Sequence, residues 1–219
     1  MKLQDFRNVH EGETILCIGT GASLLNIPVD FLRSMPSIGI NYLPYYSELI
    51  DGFMPTYWIA LDIAPPKVML SRLPPEMPRF IPNRMEKRLL ADNQDLTNVV
   101  LFEIAAMPRP DRAGYSTTMA AAIQLALYMG APNVLMAGFD CTRGHKSDAL
   151  PEPGKTGTPH FYDPDQGRHY MLNWDRNIHQ FAEWAEDMGH YVWNISKPTQ
   201  AKLVPQSDYR EWIDGEADN

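Results

Sequence analysis

The strongest constraint on this chain is a set of short apolar runs that each stop at a small or polar residue. Thr14–Ile18 runs into Gly19-Thr20-Gly21, Ser37–Ile40 into Asn41, Tyr57–Leu61 into Asp62, and Val134–Ala137 into Gly138-Phe139-Asp140. Each run has the length and partly β-branched composition of a buried strand. Asn98–Phe102 and Tyr191–Ile195 are two further runs of this kind. Helical stretches lie between them. One starts near Ser23 or Pro28 and carries Phe31 and Leu32 inward, and a short one covers Tyr45–Ile50. The strongest is Thr117–Met129, rich in Ala, with Met119, Ile123 and Leu127 on one stripe and Gly130 as its stop. Another covers about Trp174–Met188. Strands alternating with helices predict an α/β, Rossmann-like fold: a mainly parallel sheet with helices on both faces. In such sheets ligands bind at the carboxyl ends of the strands, and here those ends carry residues that are not packing residues.

Composition narrows the setting. The 219 residues suit a single nucleotide-binding domain spanning 1–219. With 44% apolar and 21% charged residues the chain is globular. A net charge of −8 argues against binding nucleic acid or an anionic membrane, which requires a basic face. No apolar run approaches the roughly 18 residues of a membrane span, and the opening MKLQDFRNVHEGE lacks the apolar core of a signal peptide. Cys17 and Cys141 stand far apart, so a disulfide framework is not expected and a cytoplasmic setting is. Two segments read as loop-rich: 64–96, with six prolines and one helix near Arg84–Leu90, and 141–170, a lid-like loop. The acidic stretch after Lys202 reads as a solvated tail. The Trp- and Tyr-rich C-terminal half leaves room for a homo-oligomer interface.

The motifs define a candidate site. Gly19-Thr20-Gly21-Ala22-Ser23-Leu24 keeps only the first two glycines of the dinucleotide fingerprint. Asn41 stands where a ribose-gripping carboxylate belongs, which argues against NAD and S-adenosylmethionine. A phosphate-contacting loop and a tight turn that merely uses glycines both fit. Ser116, Thr117 and Thr118 open the Ala-rich helix, where hydroxyls and backbone N–H groups make either an anion site or a plain N-cap. Gly138 and Asp140 end a strand just ahead of the long loop. His145, His160, His169, His179 and His190 crowd the C-terminal half without metal-ligand spacing, so no metal site is expected. His169 or His179 serves as a general acid or base near neutral pH. Tyr162 in the loop stacks on a base or sugar, or anchors the loop.

The order CIGTGASL, GIN, ALD, YSTTMAAAIQLALYMGAPNVLMAGFD, a long loop and RHYMLNW resembles the bacterial sialyltransferases of glycosyltransferase family 42. It also resembles the wider group of DUF115 proteins, which includes the archaeal-type 6-hydroxymethylpterin diphosphokinases. The resemblance covers roughly residues 14–195. In the sialyltransferases the first motif is G-N-G-P-S-L and contacts a cytidine nucleotide; here Thr20 replaces the Asn. Asn41 matches the family's Asn after the second strand, Asp62 replaces the Asn after the third, and Thr117-Thr118 match the Thr-Ser pair. The family's catalytic His lies four residues after the His of a His-Tyr pair. The pair here is His169-Tyr170, and the fourth residue on is Asn173, which is no general base.

The expectation is a glycosyltransferase that takes a CMP-linked, sialic-acid-like donor to a glycan or lipopolysaccharide-type acceptor, with no tightly bound cofactor. Gly19, Thr20, Gly21, Ser23, Asn41, Asp62, Thr117, Thr118, Gly138 and Tyr162 hold the nucleotide, and His169, His179 and Asp140 carry the chemistry. Two alternatives stay open. One is a Mg²⁺-dependent pyrophosphokinase with Asp62 and Asp140 near the metal. The other is a nucleotide-binding module without turnover.

Overall fold

A computed structural model of the chain describes residues 1–107, 110, 117–143 and 169–213, with the side chains of residues 46, 142, 143, 169 and 170 left aside. Its centre is a seven-stranded sheet. In chain order the elements are β1 (Ile15–Ile18), α1 (Val29–Arg33), β2 (Ser37–Ile40), β3 (Tyr57–Ile59), α2 (Ala64–Met69), β4 (Arg79–Pro82), α3 (Glu86–Ala91), β5 (Val99–Phe102), α4 (Thr118–Tyr128) and β6 (Asn133–Ala137). After these come β7 (Thr142–Arg143), β8 (His169–Tyr170), α5 (Leu172–Glu186) and β9 (Tyr191–Asn194). The spatial order is β5-β4-β3-β2-β1-β6-β9, and every neighbouring pair is parallel. The chain steps outward from β1 to β5, then crosses back through α4 to begin again on the other side of β1. The direction of winding therefore reverses between β1 and β6. Ile18 pairs with Gly39 and Ala137, which brings the ends of β1, β2 and β6 level.

Helices cover both faces, as the sequence predicts. Ile15 and Cys17 pack with Met119, Ile123, Ile178 and Phe181 of α4 and α5. Leu16 and Ile18 turn to Phe31 and Leu32 of α1. Trp58 and Ala60 turn to the same side as Met69 and Leu89 of α2 and α3. A sheet buried on both faces requires continuous apolar strands rather than alternating ones, which is why the runs are so legible.

Three expectations are corrected. The segment 64–96 is more than loop with one helix: it supplies α2, β4 and α3, and β4 is an interior strand. Its prolines sit where helix and strand tolerate them. Pro65 and Pro66 fall in the first turn of α2, and Pro82 ends β4. Arg79 of β4 is 4% exposed and donates to the carbonyls of Leu70 (3.2 Å), Leu73 (3.1 Å) and Pro74 (2.9 Å), tying the α2–β4 connection to the sheet. Second, α4 has no single apolar stripe. Every residue from Thr118 to Ala126 is buried, because the helix lies between the sheet and α5. Gly130, at φ +91°, ends it as expected. Third, the stretch after Lys202 is not merely a solvated tail. Gln206 bridges to Asn194, and Tyr209 packs on Phe31 at 5.5 Å between ring centroids. Asp208 pairs with Lys197 and Arg210, and hydrogen bonds from Arg210 hold its carboxyl well below the usual range.

Of the lid-like segment 141–170, β7 and β8 pair antiparallel and join its two ends. Residues 144–168, Tyr162 among them, lie outside the described ones, as do Ser116 and positions 214–219. Among the described residues no helix is long and apolar enough to cross a membrane.

Candidate nucleotide-binding cleft

The loops that follow β1 and β6 are locked together backbone to backbone. The Gly19 N–H donates to the Ala137 carbonyl (2.8 Å), and the Gly21 N–H donates to the Gly138 carbonyl (2.9 Å). A Cβ at Gly19 would stand 2.6 Å from the Gly138 oxygen, and one at Gly21 would stand 2.6 Å from both that oxygen and Asp140 Cγ. Gly138 adds a φ of +66°, which side chains rarely adopt. The glycines are thus set first by close packing of two loops. That packing places the backbone of Gly19, Thr20 and Gly21 at the mouth of a cleft of about 190 Å³, over the reversal in strand order.

Asp140 fastens the arrangement. It is 5% exposed, and its carboxylate accepts both the backbone N–H (3.2 Å) and the hydroxyl of Ser23. Ser23 is buried and does not line the cleft; it reaches the site only through Asp140. The Asp140 carboxylate, which the sequence suggests as catalytic, lines the cleft and at the same time holds Ser23.

The opposite wall comes from β2 and α4. Asn41 takes a left-handed φ of +51° directly after β2 while its N–H still donates to the Ile59 carbonyl (3.1 Å). Asn tolerates this conformation better than most residues. Its Oδ1 accepts the Thr118 hydroxyl (3.2 Å). Thr117 Oγ1 accepts the Ala120 N–H (3.1 Å) and caps α4. The cap and the cleft are one structure, since Thr117, Thr118 and Met119 present the N-terminus of an eleven-residue helix to the opening. Asp62, exposed at the rim, completes the polar side; burial first, and its carboxylate second, push the Tyr42 phenol up. No Lys or Arg among the described residues lines this cleft. An anion here would meet backbone N–H groups, hydroxyls and a helix N-terminus rather than a cation.

The sequence reading missed the apolar side. Ile40, Met119, Phe139, Cys141 and Trp174 also line the cleft. Trp174 lies in the first turn of α5 and comes over the cleft because β8 pairs with β7 and the Met171 N–H donates to the Cys141 carbonyl (2.9 Å). Nothing in the local pattern signals that return. The Cys141 thiol donates to the Met171 carbonyl (3.2 Å), and burial, with Asp175 adding to it, pushes its pKa up to about 12.

The two histidines separate. His179 is not part of the cleft. It lies five residues beyond Trp174, about 140° around the helix, and its Nε2 meets Glu183 at 3.5 Å near the surface. The backbone of His169 lies in β8, directly ahead of α5; its side chain lies outside the described part. Among the described residues no three or more His, Cys, Asp or Glu group as a cation site.

No protein-family model matches the chain. No curated protein matches it either. Among solved structures, the chain is similar to the Maf glycosyltransferase of Magnetospirillum magneticum AMB-1, with a TM-score of 0.57 and 13% identity over 96% of this chain. The chain spans 38% of that protein's length. A UDP-glucose 4-epimerase from Thermotoga maritima, solved with UDP-glucose, aligns over 83% of this chain and 54% of its own at 12% identity and a TM-score of only 0.28. The first comparison shows a shared fold.

Proposed function

We propose that the cleft binds a nucleotide-activated sugar and that the chain acts as a glycosyltransferase. The observation that carries this reading is the donor set at the strand-order reversal: the Gly19–Gly21 backbone, the α4 N-terminus with Thr117 and Thr118, and Asn41, all on one opening. The fold shared with the Maf glycosyltransferase supports it. The diphosphate or phosphate lies against the Gly19–Gly21 turn and Thr117-Thr118. Asn41 and Asp62 take hydroxyls of the ribose or edges of the base, and Trp174 and Phe139 cover the apolar face of the ligand. A CMP-linked, sialic-acid-like donor and a glycan or lipopolysaccharide-type acceptor follow from the family resemblance. In the transfer, His169 takes the proton of the acceptor hydroxyl as its oxygen bonds to the anomeric carbon. The bond from that carbon to the phosphate oxygen breaks, and the nucleotide leaves with the electron pair.

The test is a thermal-shift and titration panel of CMP, CDP, UDP and ATP, each with and without Mg²⁺. Stabilisation by a pyrimidine nucleotide without metal, lost in Thr118→Val and Asn41→Ala, is the expected result. Binding of ATP only with Mg²⁺ would favour the pyrophosphokinase. Against that alternative, the Asp140 carboxylate is engaged by Ser23, which leaves Asp62 as the exposed carboxylate at the rim. No response to any nucleotide would overturn the cleft as a nucleotide site.

A further inference from the structure

A second pocket, of about 270 Å³, opens beside the cleft at the carboxyl ends of β3 and β4. Leu61, Asp62, Ile63, Arg84, Met85 and Arg88 line it, and Asp62 belongs to both openings. Arg84 and Arg88 are four residues apart on the turn that becomes α3, so their side chains share one side. Arg84 Nη2 donates to the Leu61 carbonyl (2.8 Å), which anchors that guanidinium over the pocket. No ion pair joins either arginine to Asp62 or to another carboxylate among the described residues.

This is an unusual placement in a chain of net charge −8. Two guanidinium groups share one concavity with a single carboxylate, Asp62, that forms no ion pair with either, so the pocket keeps an excess positive charge that an anion would offset. Two guanidinium forks match the oxygens of a carboxylate or phosphate in a way that ammonium groups do not. The cleft beside it has the opposite character, with hydroxyls and N–H groups and no Lys or Arg among the described residues.

We propose that this pocket binds the carboxylate or phosphate of a sugar substrate. Arg88 is its main ligand and Arg84 its second. Asp62, on the shared wall, accepts a hydroxyl of the same sugar. The inference rests on the nucleotide-sugar reading for its choice of a sugar, and it adds the place and the residues that hold a sugar's negative charge. That charge belongs either to the sugar on the nucleotide or to the acceptor.

The test is an NMR titration of the full chain, following the arginine Nε–Hε signals and the amides of residues 61–63 and 84–88. The probes are inorganic phosphate, glucuronic acid and neutral glucose, each with and without CMP. Phosphate and glucuronic acid shift these signals, glucose does not, and added salt weakens the response. Arg88→Gln lowers the anion affinity about tenfold and Arg84→Gln lowers it less. Both residues are exposed, so the variants keep the melting temperature and the affinity for CMP. If the charge belongs to the donor sugar, CMP-N-acetylneuraminic acid binds more tightly than CMP, displaces phosphate, and loses that advantage in Arg88→Gln. If it belongs to the acceptor, phosphate binds alongside the CMP-sugar. Absence of any anion response, or equal responses in wild type and Arg88→Gln, overturns the proposal. Failure of CMP to bind overturns only the reading of the neighbouring cleft.

Discussion

Asp140 and Ser23, 117 residues apart in sequence, meet as one unit: the carboxylate at the end of β6 accepts both the N–H and the hydroxyl at the start of the turn after β1. This contact joins the loops after the two strands, β1 and β6, between which the winding of the chain reverses. Replacing Asp140 by Ala leaves both buried donors of Ser23 unsatisfied, at a cost of about 1–3 kcal/mol each. The expected result is a clear fall in thermal stability together with weaker nucleotide binding. Asp140→Asn keeps an acceptor and falls between. A general base would behave differently: Asn would abolish turnover and leave the unfolding temperature unchanged.

Gly21→Ala is the sharpest test of the interlocked loops. The new methyl would meet the Gly138 carbonyl and the Asp140 carboxylate at 2.6 Å, atoms held by hydrogen bonds and not free to move aside. Overpacking of this kind costs about 1–3 kcal/mol, and nucleotide affinity should fall with it. Gly189→Ala is the control. It has a left-handed φ of +78°, unlike Gly21, and no heavy atom within 4 Å of the added methyl. Its backbone strain should lower stability without any change in nucleotide binding, as read by calorimetry on both variants.

The histidines make a paired prediction. His179→Ala removes an exposed contact to Glu183 and a buried Nδ1 that has no partner. Nucleotide affinity and turnover should stay within about twofold, and stability within about 0.5 kcal/mol. His169→Ala should bind nucleotide normally yet lose transfer activity. Equal losses in both variants would reject the assignment.

Cys141 lines the cleft but is a poor nucleophile. Burial favours its neutral thiol, pushing the pKa up to about 12, and Cys17 is raised further by complete burial. At pH 8 both thiols of the folded protein should react with iodoacetamide far more slowly than in denaturant, because the thiolate is the reactive form. The linkage has a definite sign. A thiol that titrates higher in the fold than in the unfolded chain stabilises the fold fully below about pH 8.5. That contribution fades as pH rises toward 12. Cys141→Ser should therefore flatten the alkaline limb of the stability profile.

The strand ends were readable because a parallel sheet buried on both faces leaves no room for polar residues except where strands stop. Each of Gly19, Thr20, Gly21, Asn41, Asp62, Gly138 and Asp140 follows such a run, and all of them border the cleft. Thr117 and Thr118 were readable as a helix start. The strand β4 was not: Arg79–Pro82 is flanked by prolines and carries a charge, and only the carbonyls around it make a buried arginine tolerable. Tertiary structure alone decided three further matters. Asp140 turns inward to Ser23, because the β1 and β6 loops pack within a methyl's width. Trp174 covers the cleft, because a two-residue ribbon brings α5 back over it. Arg84 and Arg88 share a pocket with Asp62, because β3 and β4 are neighbours in the sheet. Sequence periodicity determines which residues leave the core, since burial is a property of each residue in its own element. Which of them then meet depends on strand order and on how closely two backbones approach, and neither is written in any single segment.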